Sequence, residues 1–210
     1  VNKLAKDCGA VLILDEVTAG FRENLGGWHL NTEFDVDMAV FGKALGNGYP
    51  ISAIIGKESV MKAATKSFIS STMWTERIGF VAALATIKEF ENKNVVERLK
   101  YNGRKIKNAL VNAGENHNIR VVSSGIDPLP SFKFLDGDEN VYQTYFTRQM
   151  LNRGFLVGSS IYSSSIYDDK ILKKFEINVN DVFRQMNIQE ITGESIDNQI
   201  MMTSFKRLNS

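Results

Sequence analysis

A short apolar run that ends on two acidic residues, Leu12-Ile13-Leu14-Asp15-Glu16, decides the fold of this chain. The run starts at Ala10, directly after a glycine that would stop a preceding helix. A short apolar segment bounded in this way is typical of a strand that is buried on both faces, as strands of parallel sheets are. We therefore predict a buried strand at residues 10–14, with Asp15 and Glu16 at its carboxyl end.

A second apolar run, Met38-Ala39-Val40-Phe41, predicts another short buried strand, and Gly42-Lys43 follow it at once. The turn-forming residues 46–50 precede a third predicted strand at residues 51–55. Open α/β sheets bind their ligands in the crevice beyond the carboxyl ends of the strands. The pattern thus predicts a mostly parallel sheet whose ligand-binding edge carries Asp15 and Lys43.

The remainder of the chain predicts an α/β architecture in two parts. Residues 1–114 should hold part of the parallel sheet and its flanking helices, and residues 115–210 a smaller α+β C-terminal domain. Gly114 is expected to end the second of two helices, and residues 190–210 are polar and expected to be loosely ordered. The other predicted elements are helices at 75–92, 94–114, 140–152 and 170–189 and strands at 120–123 and 131–135.

Composition excludes several classes of protein. The 25 Lys and Arg residues balance 24 Asp and Glu residues, so the net charge of +1 provides no overall field for nucleic acid. The longest apolar run, Ala10–Leu14, is far shorter than the ~20 residues that span a bilayer. The single cysteine, Cys8, excludes an intrachain disulfide and any CxxC metal site. We expect a cytoplasmic protein with no nucleic-acid partner, no membrane partner and no metal.

The first residues predict that the chain is a piece of a longer protein. It opens on Val1 rather than Met, and residues 1–9 have the pattern of the last two turns of a helix that Gly9 ends. We expect this piece to be incomplete as a functional site.

An acid and an amine at neighbouring strand ends are typical of one chemistry in particular. Enzymes that use pyridoxal 5'-phosphate need a lysine that forms a Schiff base with the cofactor aldehyde, and a carboxylate that keeps the pyridine nitrogen protonated. Lys43 and Asp15 are candidates for these two roles. Gly42, Gly46 and Gly48 would let the backbone approach a planar cofactor without a Cβ in the way.

The pattern around these residues resembles a known family. Residues 12–22, Gly26-Gly27, residues 41–53 and Gly56 are similar in order and spacing to the class III, fold type I pyridoxal-phosphate aminotransferases, above all to the glutamate-1-semialdehyde aminomutase branch. The resemblance implies that Asp15 binds the pyridine nitrogen, Val17 packs on one face of the ring and Lys43 is the Schiff-base lysine and proton shuttle. It covers residues 1–92 well and the remainder loosely.

The resemblance also implies partners. Ser71-Thr72 before a helix is similar to the segment in which a threonine, here Thr72, donates to the cofactor phosphate of the neighbouring subunit. This implies a homodimer with shared sites that acts on a small-molecule amino donor and acceptor. The family's phosphate-binding loop would lie upstream of Val1.

Two other functions remain open at this point. Residues 12–16 also fit the Mg²⁺-binding acid strand of a phosphate-loop ATPase, although Gly42-Lys43 comes after that strand and is followed by Ala44 rather than Ser or Thr. A non-catalytic scaffold that kept the fold is a further alternative. Glu16 is expected to cap a turn or pair with a base, and the remaining candidates, Cys8, His29 and His117, are expected to be structural or on the surface.

Overall fold

The computed structural model describes residues 1–197 and 199–201, which form two compact units. The first unit is Val1–Glu97, and the second begins at Arg98. The domain boundary expected at residue 114 stays a prediction.

The first unit contains a three-stranded sheet of β1 (Ile13–Asp15), β2 (Met38–Phe41) and β3 (Ala53–Gly56), in that order. β1 and β2 are parallel, whereas β2 and β3 are antiparallel. The compact turn through residues 46–50 permits the antiparallel pairing because it reverses the chain within a few residues. The expected sheet is therefore present, with its third strand reversed.

The first unit also has three helices, α1 (Asn2–Asp7), α2 (Glu58–Met61) and α3 (Arg77–Asn92). The carboxylate of Glu76 caps α3 by accepting from the backbone N–H of Ile78 at 3.1 Å. The buried side of α3 carries small residues that pack near the sheet. The core of this unit consists of Phe21, Ala39, Phe41, Leu45 and Ala83.

The prediction that the first strand is buried on both faces is wrong for the described chain. Ile13 is 52% exposed, and Val11 before it is also exposed. Elements packed above and below a sheet cover the faces of its strands, and the side chains of Val11 and Ile13 lack such cover among the described residues. β1 is also an edge strand among these residues.

The second unit combines helices with a two-stranded antiparallel sheet. β4 (Val121–Ser124) pairs with β5 (Ser131–Phe134), and the helices are α4 (Val95–His117), α5 (Glu139–Asn152) and α6 (Asp169–Ile188). Asp138 and Asp168 cap α5 and α6 by accepting from backbone N–H groups of the first turns. Its core centres on aromatic rings in edge-on or tilted contact, namely Phe132, Phe134, Phe146 and Phe183.

The expectation that Gly114 ends α4 is wrong, because the helix continues to His117. Gly114 is buried, and a Cβ at this position would lie 2.7 Å from the carbonyl oxygen of Ile119 and 2.7 Å from Cγ1 of Val121. The glycine thus permits the chain to turn closely over the helix into β4.

The expected looseness of residues 190–210 does not apply to their first part. Ile191 and Ile196 belong to the core of the second unit, and a short 3-10 turn spans Glu194–Ile196. Asn198 and residues 202–210 lie outside the described residues. Within the described ranges, no helix is both long and apolar enough to cross a membrane.

A buried carboxylate holds the loop between β1 and β2. Glu16 is 2% exposed, and its two side-chain oxygens accept from the backbone N–H groups of Trp28 and His29 at 3.0 and 2.9 Å. Nδ1 of His29 also lies 2.9 Å from the Glu16 carboxylate. Gly27 fits this arrangement because a Cβ there would lie 2.2 Å from the His29 ring. We call Glu16, Gly27, Trp28 and His29 the Glu16 clasp.

An exposed ion cluster joins three separate segments of the first unit. Lys57 lies 2.5 Å from Asp35 and 2.9 Å from Asp37, and Lys6 lies 2.9 Å from Asp35. Hydrogen bonds from Lys57 and Lys6 lower the pKa of Asp35 to about 2. The backbone N–H of Leu12 and the ammonium of Lys57 likewise lower the pKa of Asp37.

This cluster predicts an acid-dependent contribution to stability. Folding lowers the pKa of Asp35 from 3.8, so its ionised form stabilises the fold at higher pH and this contribution is lost as the pH falls toward about 2. Asp35→Asn should lower the melting temperature at about pH 5, and the difference should shrink toward zero as the pH falls through about 2. Thermal unfolding across this range tests the prediction, with Asp7→Asn as the control. A constant difference between the wild type and Asp35→Asn would contradict it.

Because of the Glu16 clasp, we expect that even a substitution that keeps the size of the Glu16 side chain lowers the stability of the fold. Glu16→Gln replaces one acceptor oxygen with an amide NH₂ that faces backbone N–H donors, so we expect a loss of about 1–3 kcal/mol in the free energy of unfolding. Denaturant unfolding measures this loss, and Glu33→Gln, at an exposed position, is the matched control. Equal effects of the two substitutions would show that the clasp does not stabilise the fold.

Candidate active site

The parallel pairing of β1 and β2 places the ends of both strands at one edge of the sheet. Asp15 is the register partner of Val40, and the backbone N–H of Glu16 donates to the carbonyl oxygen of Val40 at 2.8 Å. Lys43 follows Val40 by three residues, just beyond the end of β2. The pairing therefore brings the predicted acid and the predicted lysine to the same edge.

Asp15 presents its carboxylate at the surface of this edge. One side-chain oxygen accepts from the backbone N–H of Val17 at 3.0 Å. This bond orients the carboxylate, while the exposure of Asp15 leaves it accessible to a ligand. Glu16, the neighbouring acid, is instead buried in the clasp.

Lys43 occupies an unusual backbone conformation, with φ at +42°. It begins a short 3-10 turn, Lys43–Leu45, and its carbonyl oxygen accepts from the N–H of Asn47 at 3.0 Å. Its Nζ donates to Oγ1 of Thr18 at 2.6 Å. The lysine side chain is therefore directed back toward the residues that follow β1.

One glycine near Lys43 is required by a close contact, and another lies beside Val17. A Cβ on Gly46 would lie 2.1 Å from the carbonyl oxygen of Tyr49, so only glycine permits this turn. A Cβ on Gly42 would lie 3.4 Å from Cγ1 of Val17. The backbone before the lysine thus passes close to the side chain of Val17.

Asp15, Val17 and Lys43 therefore lie in one connected group, which Thr18 completes. Thr72 lies elsewhere along the chain, in an exposed turn before α3 in which the N–H of Trp74 donates to the carbonyl oxygen of Ser71 at 3.2 Å. Within the described ranges its hydroxyl forms no hydrogen bond with the other predicted site residues. Its role at a phosphate stays a prediction.

Glu16 caps a turn and pairs with a base, as predicted, but its partner and that of Lys43 were not identified from the sequence. Thr18 and Lys43 are 25 residues apart, and Glu16 and His29 are 13 residues apart. Neither spacing corresponds to a helix or strand period, so no local pattern indicated either pair. The structure confirms the structural role expected for His29 and gives it a specific partner.

The group can carry out a defined set of chemical tasks. An exposed amine can bind a carbonyl carbon, and a nearby carboxylate can hold a protonated ring nitrogen. An apolar side chain beside them can pack on a ring.

Known proteins identify the family and the fold of this chain. The sequence model of the family described as "Aminotransferase class-III" matches residues 1–159. The 3-aminobutyryl-CoA aminotransferase of Cloacimonas acidaminovorans (strain Evry) is 32% identical over 161 residues, which are 74% of this chain and 39% of that protein. The glutamate-1-semialdehyde 2,1-aminomutase of Legionella pneumophila (strain Paris) is 29% identical over 193 residues, covering 83% of this chain and 45% of that protein.

Solved structures show the same fold. The FumI protein of Sphingopyxis sp. MTA144, in its PLP internal aldimine form, superposes with a TM-score of 0.84 at 22% identity and covers 93% of this chain and 48% of that one. An omega-transaminase from Sphaerobacter thermophilus superposes with a TM-score of 0.79 at 17% identity, and the match covers 90% of this chain and 47% of that one. The chain thus spans less than half the length of these relatives. It has the fold of the PLP-dependent transaminases and belongs to the class-III aminotransferase family.

Proposed function

We propose that this chain is part of an enzyme that transfers amino groups with pyridoxal 5'-phosphate. The observation that carries the proposal is the group at the sheet edge, where Asp15 and Lys43 follow two paired parallel strands and Val17 lies against Gly42. Family membership supports this function over the ATPase alternative, which no comparison supports.

The residues at the edge fit the cofactor's chemical groups. The cofactor has an aldehyde, which an amine can bind, and a pyridine nitrogen, which a carboxylate can keep protonated. Gly42 leaves open, beside Val17, the space that a Cβ would occupy at 3.4 Å from Cγ1 of Val17. The exposed carboxylate of Asp15 is already oriented by the Val17 N–H.

Each side chain then has a separate task. When bound, the cofactor acts as an electron sink for a substrate carbanion. Lys43 holds the cofactor covalently through Nζ and moves a proton once that amine is free. Asp15 keeps a proton on the ring nitrogen, and Val17 packs against one face of the ring.

The substrate class follows from this chemistry. We propose small-molecule amino donors and acceptors, with transfer between two molecules or within one, since the relatives include aminotransferases as well as an aminomutase. We also propose that residues 1–114 are the C-terminal part of the cofactor-binding domain and residues 115–210 the small domain. A cytoplasmic location is proposed on the single cysteine, Cys8.

Assembly into a homodimer is part of the proposal. Ile78, Phe80, Val81 and Leu84 of α3 are between 54% and 66% exposed, which is a large apolar surface for one helix. Thr72 lies shortly before this helix. We propose that α3 packs in a two-fold interface, which would present each Thr72 to the phosphate site of the other subunit.

The first experiment tests the attachment site. Borohydride reduction of the protein that carries this chain, after loading with pyridoxal 5'-phosphate, should fix the cofactor on the peptide that contains Lys43. Peptide mass spectrometry locates the label. A label on another peptide, or no label while MgATP is hydrolysed, would overturn the proposed function.

Two variants make this experiment specific. Lys43→Ala should abolish the label. Asp15→Asn should retain it yet lose most of the turnover, by at least about 100-fold, because the ring nitrogen would no longer be held protonated.

A complementation experiment tests the shared site. Thr72→Ala removes a hydrogen bond to a charged phosphate, so cofactor binding should weaken by about 1.5–3 kcal/mol. When Lys43→Ala and Thr72→Ala subunits are mixed at limiting cofactor, each hybrid dimer should hold one site with both defects and one with neither. Activity should then return toward half of the wild-type value per hybrid. Absence of recovery despite confirmed subunit exchange would place Thr72 outside the neighbour's site.

A further inference from the structure

The hydroxyl of Thr18 is the hydrogen-bond acceptor for the amine of Lys43, at 2.6 Å between Nζ and Oγ1. We propose that Thr18 is a positioning residue that holds this amine at the edge of the sheet, beside Val17, when the amine is not bound to the cofactor. The proposal rests on the function proposed above for Lys43 and adds a residue to which that function assigned no role.

Hydrogen bonds to the main chain of residues 16–20 hold the backbone of Thr18 in place. Nε of Arg22, a buried side chain, donates to the carbonyl oxygen of Thr18 at 2.6 Å. The N–H of Gly20 donates to the carbonyl oxygen of Glu16 at 2.8 Å, and Asp15 fixes the N–H of Val17. The turn at residues 16–20 is thus bonded on both sides of Thr18, which fixes its backbone, and the branched Cβ restricts rotation of the hydroxyl.

Lys43, in contrast, has a side chain that needs an external contact to stay in place. It is exposed, and ordering the four rotatable bonds of a lysine side chain costs conformational entropy. Its positive φ directs the chain but does not fix the position of Nζ. The Thr18 hydroxyl supplies the fixed contact.

A hydroxyl is suited to this task because it is neutral. It accepts a hydrogen bond from the amine without the strong pairing that a carboxylate would form with an ammonium group. A hydroxyl also keeps a donor of its own while it accepts. Lys43 can therefore be held by Thr18 and released to react with an aldehyde carbon.

The rate at which the amine captures the cofactor tests the proposal directly. The protein that carries this chain is freed of cofactor and mixed with pyridoxal 5'-phosphate. The change in the absorbance of the cofactor reports formation of the bond between Nζ and the aldehyde carbon, with loss of water. Thr18→Val has nearly the same shape as threonine and lacks the hydroxyl. Thr18→Val should capture the cofactor about tenfold more slowly, which corresponds to an increase of about 1.4 kcal/mol in the activation free energy.

Two further variants separate positioning from a general effect on the fold. Thr18→Ser restores the hydroxyl and should recover the rate to within about twofold of the wild type. Thr65→Val is the matched control, because the Thr65 hydroxyl donates to the carbonyl oxygen of Lys62 in an exposed turn of the same unit. It should leave the rate unchanged.

The outcomes are distinct. Wild-type rates in folded Thr18→Val, or a Thr18→Ser rate as low as that of Thr18→Val, would overturn the positioning role. If Thr18→Val does not fold, Thr18→Ala takes its place with the same expectation. If borohydride reduction of the wild type fixes the cofactor on a residue other than Lys43, the proposed function is overturned, and this inference with it.

Discussion

The parallel pairing of β1 with β2 is the constraint on which the candidate site depends. Parallel strands end at the same edge of a sheet, so the pairing of Asp15 with Val40 places the residues after both strands together. The acid comes from the end of one strand and the lysine from just beyond the other. A register shift of one residue would turn Asp15 and its neighbours to the opposite faces.

Two adjacent acids have different tasks because of their positions in this pairing. Asp15 is exposed at the edge, whereas Glu16 is buried and accepts hydrogen bonds from the loop that leads toward β2. Alternation of side chains along an extended chain accounts for this separation. The buried acid orders the loop, and the exposed acid remains accessible for chemistry.

The second unit has a core of its own, so its stability has a separate physical origin. Aromatic rings from β5, α5 and α6 pack edge-on or tilted, and α4 contributes its buried apolar side. Asn102 of α4 is fully buried and donates to the carbonyl oxygens of Ser164 and Tyr167 at 2.7 and 3.1 Å. These bonds hold the segment that contains Ser164 and Tyr167 against the helix.

The sequence by itself determined the kinds of element and their approximate limits, because apolar periodicity and caps are local properties of the chain. It also indicated the family, because the order and spacing of the motif residues from Asp15 to Lys43 are written directly in the chain. The predicted β2, for example, has the same limits in the structure. Only the tertiary structure decided that β3 runs antiparallel, that Gly114 lies within α4, that Glu16 pairs with His29 and that Thr18 holds Lys43. These features depend on which distant segments meet in space, and contacts between residues 13 or 25 positions apart leave no periodic trace in a single sequence.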